Sequence, residues 1–135
     1  MIEALGQAVA QQFNKSTDIK NLLTGGLFFQ QAPQDQEGPY AVYYFIGSSP
    51  NEYMGGQENR IHETEVQVNI FSTADDGGIE VIELSRKWIE GFDWVKLPMT
   101  GWNVLKTAHV SQGPLSYVNE IWQNTINYEI WVEKE

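Results

Sequence analysis

The amino-acid sequence predicts an α+β domain in which two amphipathic helices pack on a mostly antiparallel sheet of four to five strands. Two segments place apolar residues at helical spacing, several others alternate apolar and polar residues, and glycine- or proline-containing stretches separate them. The predicted order of elements is α-β-β-β-α-β-β. The chain has 135 residues, 41% of them hydrophobic, which suits one core, so residues 1–135 are predicted to form a single domain.

The N-terminal part predicts one helix and one short strand. Residues 2–13 carry apolar side chains every three or four positions, with glutamines on the opposite face. Residues 16–18 offer caps for a second short turn, which the glycines at 25–26 end. Residues 27–30 are then predicted to form a short strand.

Two longer strands follow and are expected to pair. Residues 40–46 are almost continuously apolar, as in a strand covered on both faces, and the second cover is expected from this chain or from another subunit. Residues 60–71 alternate between apolar and polar side chains, as in a half-buried strand. Residues 47–59 between them contain three glycines and no periodicity, so they are interpreted as a long loop that is functional or mobile.

The second helix is predicted to start within residues 72–78. Thr73 can cap it, and Asp75 and Asp76 place negative charge at the positive end of the helix dipole.

Two more strands are predicted at residues 103–111 and 121–133. The apolar stripe of the second helix includes Trp88 and Phe92, which are expected in the core. Trp131 is out of phase with the inward face of its strand, so we expect it to contact a partner.

Composition excludes several classes of protein. The net charge is −10, from 18 acidic and 8 basic residues, which disfavours a surface that grips nucleic-acid phosphates. Cysteine is absent, which excludes disulfides and thiolate metal sites. No long apolar run or basic leader is seen, so neither a membrane span nor a secretory signal is expected, and the protein is expected to be soluble and intracellular when made.

No arrangement of residues predicts catalysis, a cofactor or a metal. His62 and His109 lie on separate predicted strands, and the string from His62 to Glu65 lacks the second histidine of a zinc protease. Residues 75–78 lack the alternating oxygen ligands of a calcium loop, and no serine lies in a nucleophile elbow. We therefore predict a protein that is not an enzyme.

Two segments carry a resemblance to a known family. Residues 25–34 read GGLFFQQAPQ and residues 38–47 read GPYAVYYFIG. This pattern of glycine, short strand, Ala-Pro turn and Pro-Tyr entry into a hydrophobic strand resembles the tail terminator, or tail-completion, proteins of long-tailed bacteriophages. In outline the resemblance covers nearly the whole chain, although the tryptophan-rich C-terminal half and the loop at residues 48–59 depart from it.

The resemblance implies a structural virion protein. Members form a ring, expected to be a hexamer, that caps the head-proximal end of the tail tube, stops its polymerisation and joins the tail to the head. The implied partners are further copies of the chain, the tail tube protein and the head connector or stopper protein, with DNA passing through the lumen without specific binding. The implied location is the tail or neck of the virion, after assembly in the cytoplasm of the bacterial host.

Five residues are candidates for these surfaces. Tyr53 and Met54 are the expected apolar anchors for docking on the tube, Trp131 is a further partner-binding residue, and Glu63 and Glu65 are expected to face the lumen. Alternatively, the loop that carries Tyr53 and Met54 is only a mobile hairpin connection.

Two other functions stay open at the level of sequence. The chain could be another neck component, such as a head-closure or connector-adaptor protein. It could also be a small-molecule-binding α+β domain, which would use an enclosed aromatic pocket.

Overall fold

The computed structural model describes residues 2–32, 38–50 and 61–134, which form three helices and six strands. The elements are α1 (Ile2–Lys15), α2 (Thr17–Leu22), β1 (Gly26–Phe29), β2 (Tyr40–Pro50), β3 (Ile61–Ser72), α3 (Ile79–Phe92), β4 (Trp102–Gln112), β5 (Ser116–Val118) and β6 (Ile121–Lys134).

All six strands belong to one sheet, in the order β1-β2-β3-β6-β4, with β5 beside the start of β6. Every pairing is antiparallel except that of β1 with β2. The predicted α+β class is confirmed. The second short turn predicted after residues 16–18 is the short helix α2, and the structure adds β5, a strand too short to show its own alternation.

The helices pack on one face of the sheet and form the core with it. Trp88 is fully buried and stacks on Phe92 with ring centroids 4.2 Å apart, so the predicted core position of both residues is confirmed. The Tyr43 hydroxyl donates to the carbonyl of Gly6 at 3.2 Å, which fixes α1 over β2. These contacts hold one face of the sheet under the helices.

The hairpin of β2 and β3 extends further than predicted. Pairing of the two strands is confirmed, but it continues from Gly47 opposite Glu65 to Pro50 opposite His62, inside the segment predicted as a loop. A bulge between Phe45 and Gly47 accommodates the change in register. Backbone pairing of this kind needs no apolar periodicity, which is why the sequence pattern missed it.

The predicted cap of α3 by Thr73 is wrong, because the helix starts at Ile79 with Gly78 as its N-cap. The Asp76 carboxylate accepts hydrogen bonds from the backbone N–H groups of Gly78 and Glu80, at 3.1 and 3.0 Å. Gly78 has a φ of +87°, and a methyl group there would lie 2.7 Å from a Leu115 methyl carbon. The left-handed turn at this glycine delays the helix until Ile79.

Candidate functional site

The face of the sheet opposite the helices is polar, and no helix among the described residues covers it. Tyr40, Val42 and Tyr44 of β2 lie on one side of it, and three neighbouring strands supply most of its other side chains. They are Glu63, Glu65, Gln67 and Asn69 from β3, Gln123, Thr125, Asn127, Glu129, Trp131 and Glu133 from β6, and Asn103, Lys106, Ala108 and Ser111 from β4. We call this surface the open face.

One half of the open face is a network of amide and hydroxyl groups. Asn69 donates to Gln67 at 3.2 Å, and Gln67 donates to Asn127 at 3.3 Å. The Asn69 carbonyl oxygen accepts from Gln123 at 3.0 Å and from the Thr125 hydroxyl. Asn69 is buried by these neighbours. The network gives this half of the face a fixed, uncharged hydrogen-bonding surface.

The other half of the open face is acidic. Glu65 lies directly opposite Glu129, and Glu63 directly opposite Trp131. The Trp131 indole N–H donates to the Glu129 carboxylate, and the Lys106 ammonium lies 5.3 Å from the centre of the Trp131 ring. Like charges that face each other across two strands destabilise a sheet. The stability of the sheet therefore does not explain why Glu65 and Glu129 face each other.

The structure brings three of the candidate residues onto this one surface. Glu63, Glu65 and Trp131 share the open face, whereas Tyr53 and Met54 lie outside the described residues. Only the register of β3 against β6 shows that Glu129 opposes Glu65. The contact of Lys106 with Trp131 carried no sequence signal.

The cover expected on both faces of β2 is present only in part. Ala41 and Tyr43 are buried under the helices, and Val42 is buried on the opposite face. Tyr40 and Tyr44, also on the open face, are half-buried. No helix of the described residues supplies a second layer there.

The two histidines of the chain lie apart, each with its own partner. His109 pairs with Asp93, with 3.2 Å between Nδ1 and a carboxylate oxygen, while His62 packs edge-on against the Trp102 ring. Burial, and then the nearby Asp93 carboxylate, raise the pKa of Tyr128 above its ordinary value of 10.0. The described residues hold no group of three or more His, Asp or Glu side chains that could bind a metal.

The grooves on the helix side open to the surface. One of them has a volume of about 340 Å³ and lies between α1 and β1, lined by Ala10, Phe13, Asn14, Leu27, Phe29 and Tyr43. In the described part of the chain, no helix is long and apolar enough to span a membrane.

Comparison with known proteins gives one family and several similar folds. The family described as "Tail completion protein gp17" matches residues 7–91, more than half of the chain. A chain from the "Virion of native gene transfer agent (GTA) particle" has a similar fold, with a TM-score of 0.78 and 12% identity, covering 98% of this chain and 96% of that one. A second solved chain matches with a TM-score of 0.72 and 16% identity over 100% of this chain and 97% of its own length. No curated protein matches the sequence significantly.

The family match lies on the part of the chain that runs from α1 to the end of α3, and it includes both segments that carry the resemblance described above. The two solved chains share the fold over almost their whole lengths. The chain therefore belongs to the tail completion protein gp17 family and is a structural component of the bacteriophage tail or neck.

Proposed function

We propose that the chain forms a closed ring, a hexamer, on the head-proximal end of the tail tube. The ring stops polymerisation of the tube and presents a surface to the head connector or stopper protein. The observation that carries this proposal is the family match over residues 7–91. The action is one of geometry, because a closed ring blocks the addition of further tube subunits and needs no cofactor or turnover.

In this ring the acidic half of the open face, with Glu63 and Glu65, lines the lumen. Glu129 adds a third carboxylate to each copy of that surface. Phosphates of a passing DNA molecule are repelled by carboxylates, so DNA slides through without adhering. The net charge of −10 on the chain supports this arrangement.

The docking surface for the tube uses Tyr53 and Met54 as apolar anchors, and Trp131 is a further partner-binding residue. In the strand register, Trp131 lies opposite Glu63, and Glu63 lies opposite Ser49 near the end of β2. Trp131 is therefore at the end of the sheet where the chain leaves β2 towards Tyr53. Aromatic side chains of this kind are common anchors at protein interfaces.

Electron microscopy of particles that lack the gene tests the capping function. We expect tails of abnormal length that do not join heads, and purified protein should restore both length and joining. Tails of normal length beside leaking or unattached heads would instead place the chain in the neck as a head-closure or connector-adaptor protein. Full particles without the protein would refute both functions.

The lumen assignment is tested by reversing one charge. Glu65→Lys should make capped tails retain DNA or slow its release, with an effect that weakens as salt rises. Glu83→Lys is the matched control, since it makes the same charge change on an exposed position of α3. Equal behaviour of the two variants would remove Glu65 from the lumen.

The loop assignment is tested by deleting residues 57–59 and, separately, by Tyr53→Ser. Both changes should weaken attachment of the protein to tail tubes in a pelleting assay. The control is Tyr117→Ser, an exposed tyrosine on β5. Attachment unchanged in both loop variants would mean that the segment is a simple connection.

A further inference from the structure

Trp94 is unusual because its side chain is 72% exposed, more than any other large hydrophobic residue whose burial the structure describes. It follows α3 directly and has a φ of +60°, a left-handed conformation that is uncommon for tryptophan. The backbone N–H of Trp94 donates to the backbone carbonyl of Thr107 in β4. The neighbouring Asp93 carboxylate accepts from the backbone N–H of His109 at 2.9 Å. Two bonds to the edge strand therefore hold the indole ring outside the molecule.

The opposite edge of the sheet carries a groove that suits a large aromatic ring. This is the groove of about 340 Å³ between α1 and β1. Its wall includes Phe29, which is 42% exposed and lies 5.0 Å from the Tyr43 ring, centre to centre. Tyr43 is fixed by its hydrogen bond to Gly6, and the small side chain of Ala10 leaves the groove open. The groove is thus formed before anything enters it.

Trp94 cannot reach the groove of its own subunit. The strand order places β4 and β1 at opposite edges of the sheet, four strand spacings or roughly 19 Å apart. Direct pairing of edge strands between copies is also disfavoured, because β4 has two bulges and because Asp93 and Trp94 already bond to it. A contact between copies at these edges must use side chains.

We infer that Trp94 of one subunit inserts into the groove between α1 and β1 of the next copy of this chain. The inference rests on the proposed ring, which requires two unlike patches on opposite sides of each subunit. Leu105 and Val110, which are the bulged residues of β4, are also exposed apolar residues of this edge strand. The contact buries an exposed tryptophan in a preformed pocket, as do the residues that dominate many interfaces.

Two variants test the contact by blocking its two halves separately. Trp94→Gly removes the ring and suits the left-handed backbone, so it does not strain the fold. Ala10→Trp fills the groove from an exposed position of α1. Each variant alone should associate at least about 30-fold more weakly than the wild type in sedimentation. A mixture of the two should form heterodimers and no larger species, because only one working pair of patches remains.

The matched controls are Val118→Gly and Gln11→Trp, which change exposed residues outside the two patches. Both should associate like the wild type. The inference would be overturned if Trp94→Gly self-associated as strongly as the wild type. It would also be overturned if the controls lost as much self-association as the two test variants.

Cross-linking on assembled tails separates this contact from the capping function. The chain has no cysteine, so a variant carrying both Lys96→Cys and Asn14→Cys introduces the only two thiols. Both positions are exposed, the first lying two residues after Trp94 and the second in the lining of the groove, and Trp94 and Ala10 stay in place. Oxidation of capped tails should give a ladder of linked subunits, whereas a mixture of the two single variants should give dimers only. Tails of normal length without any ladder would overturn the contact and leave the capping function standing. A disulfide-linked homodimer from Lys96→Cys alone would also overturn it, since such a homodimer requires a two-fold contact.

Discussion

Replacing Tyr128 by phenylalanine should make the protein more stable, although it removes a polar group from the centre of the sheet. Tyr128 is 3% exposed, and its hydroxyl has no hydrogen-bond partner among the described residues. An unpaired buried hydroxyl costs about 1–3 kcal/mol, and the void left by one oxygen atom offsets part of the gain. We expect the free energy of unfolding to rise by about 1 kcal/mol at neutral pH, or the Tm by about 4 °C.

The same substitution should change how stability depends on pH. Burial raises the pKa of Tyr128 in the folded state, whereas in the unfolded chain this tyrosine ionises near its ordinary value of 10.0. Above that value the unfolded state binds fewer protons than the folded state, so the free energy of unfolding falls as pH rises. The contribution of Tyr128 is complete below pH 10 and is lost above it, at about 1.4 kcal/mol per pH unit.

Urea denaturation, followed by tryptophan fluorescence at neutral pH and at several values above pH 10, measures both effects. Burial also raises the pKa of Tyr40 and Tyr43, but these residues are present in both proteins and cancel in the comparison. The reasoning is refuted if Tyr128→Phe lowers stability at neutral pH by about 1 kcal/mol or more, because the hydroxyl must then be hydrogen-bonded. Identical slopes of the two proteins above pH 10 would also refute it.

Three further substitutions test how the fold is built. Gly78→Ala should lower the free energy of unfolding by about 1–3 kcal/mol more than Gly77→Ala in urea denaturation. Both glycines have a positive φ, but only Gly78 leaves no room for a methyl group. Equal losses would mean that only the backbone strain of the positive φ matters. Asp76→Ala should lower the free energy of unfolding by about 1 kcal/mol, because the Asp76 carboxylate accepts from two backbone N–H groups at the start of α3. Asp75→Ala should change it little. Equal effects of the two variants would contradict the assigned cap. Trp88→Ala should cost about 3–5 kcal/mol by opening a cavity in the core, and a smaller loss in thermal denaturation would indicate that the helices collapse into the space.

Local patterns were sufficient for the class of the fold and for part of its core. The alternation in residues 60–71 and 121–133 identified β3 and β6 because each has one buried face, and the helical spacing around Trp88 identified α3. The ends of elements were harder to predict. Thr73 looked like a cap because of its residue type, but Asp76 and the backbone of Gly78 decide where α3 begins.

For the candidate site, too, local patterns predicted the direction of side chains but not their partners. Alternation assigned Glu65 and Trp131 to an outward face, since the side-chain period of a strand is two. It could not pair Glu65 with Glu129, because that pairing depends on the register between two strands that are distant in the sequence. The approach of Lys106 to Trp131 depends on a second register, which a bulge in β4 shifts.

The sequence by itself determined the α+β class, the buried face of the long strands and the resemblance to tail-completion proteins, because these depend on local periodicity and short motifs. Only the tertiary structure decided which charges share the open face and which hydrophobic residues stay outside the core. Trp94 is the clearest example, since a large aromatic residue directly after α3 is expected from its residue type to be buried. The left-handed backbone at Trp94 and its bond to β4 turn the side chain outward, and both depend on how the end of the helix meets the edge of the sheet.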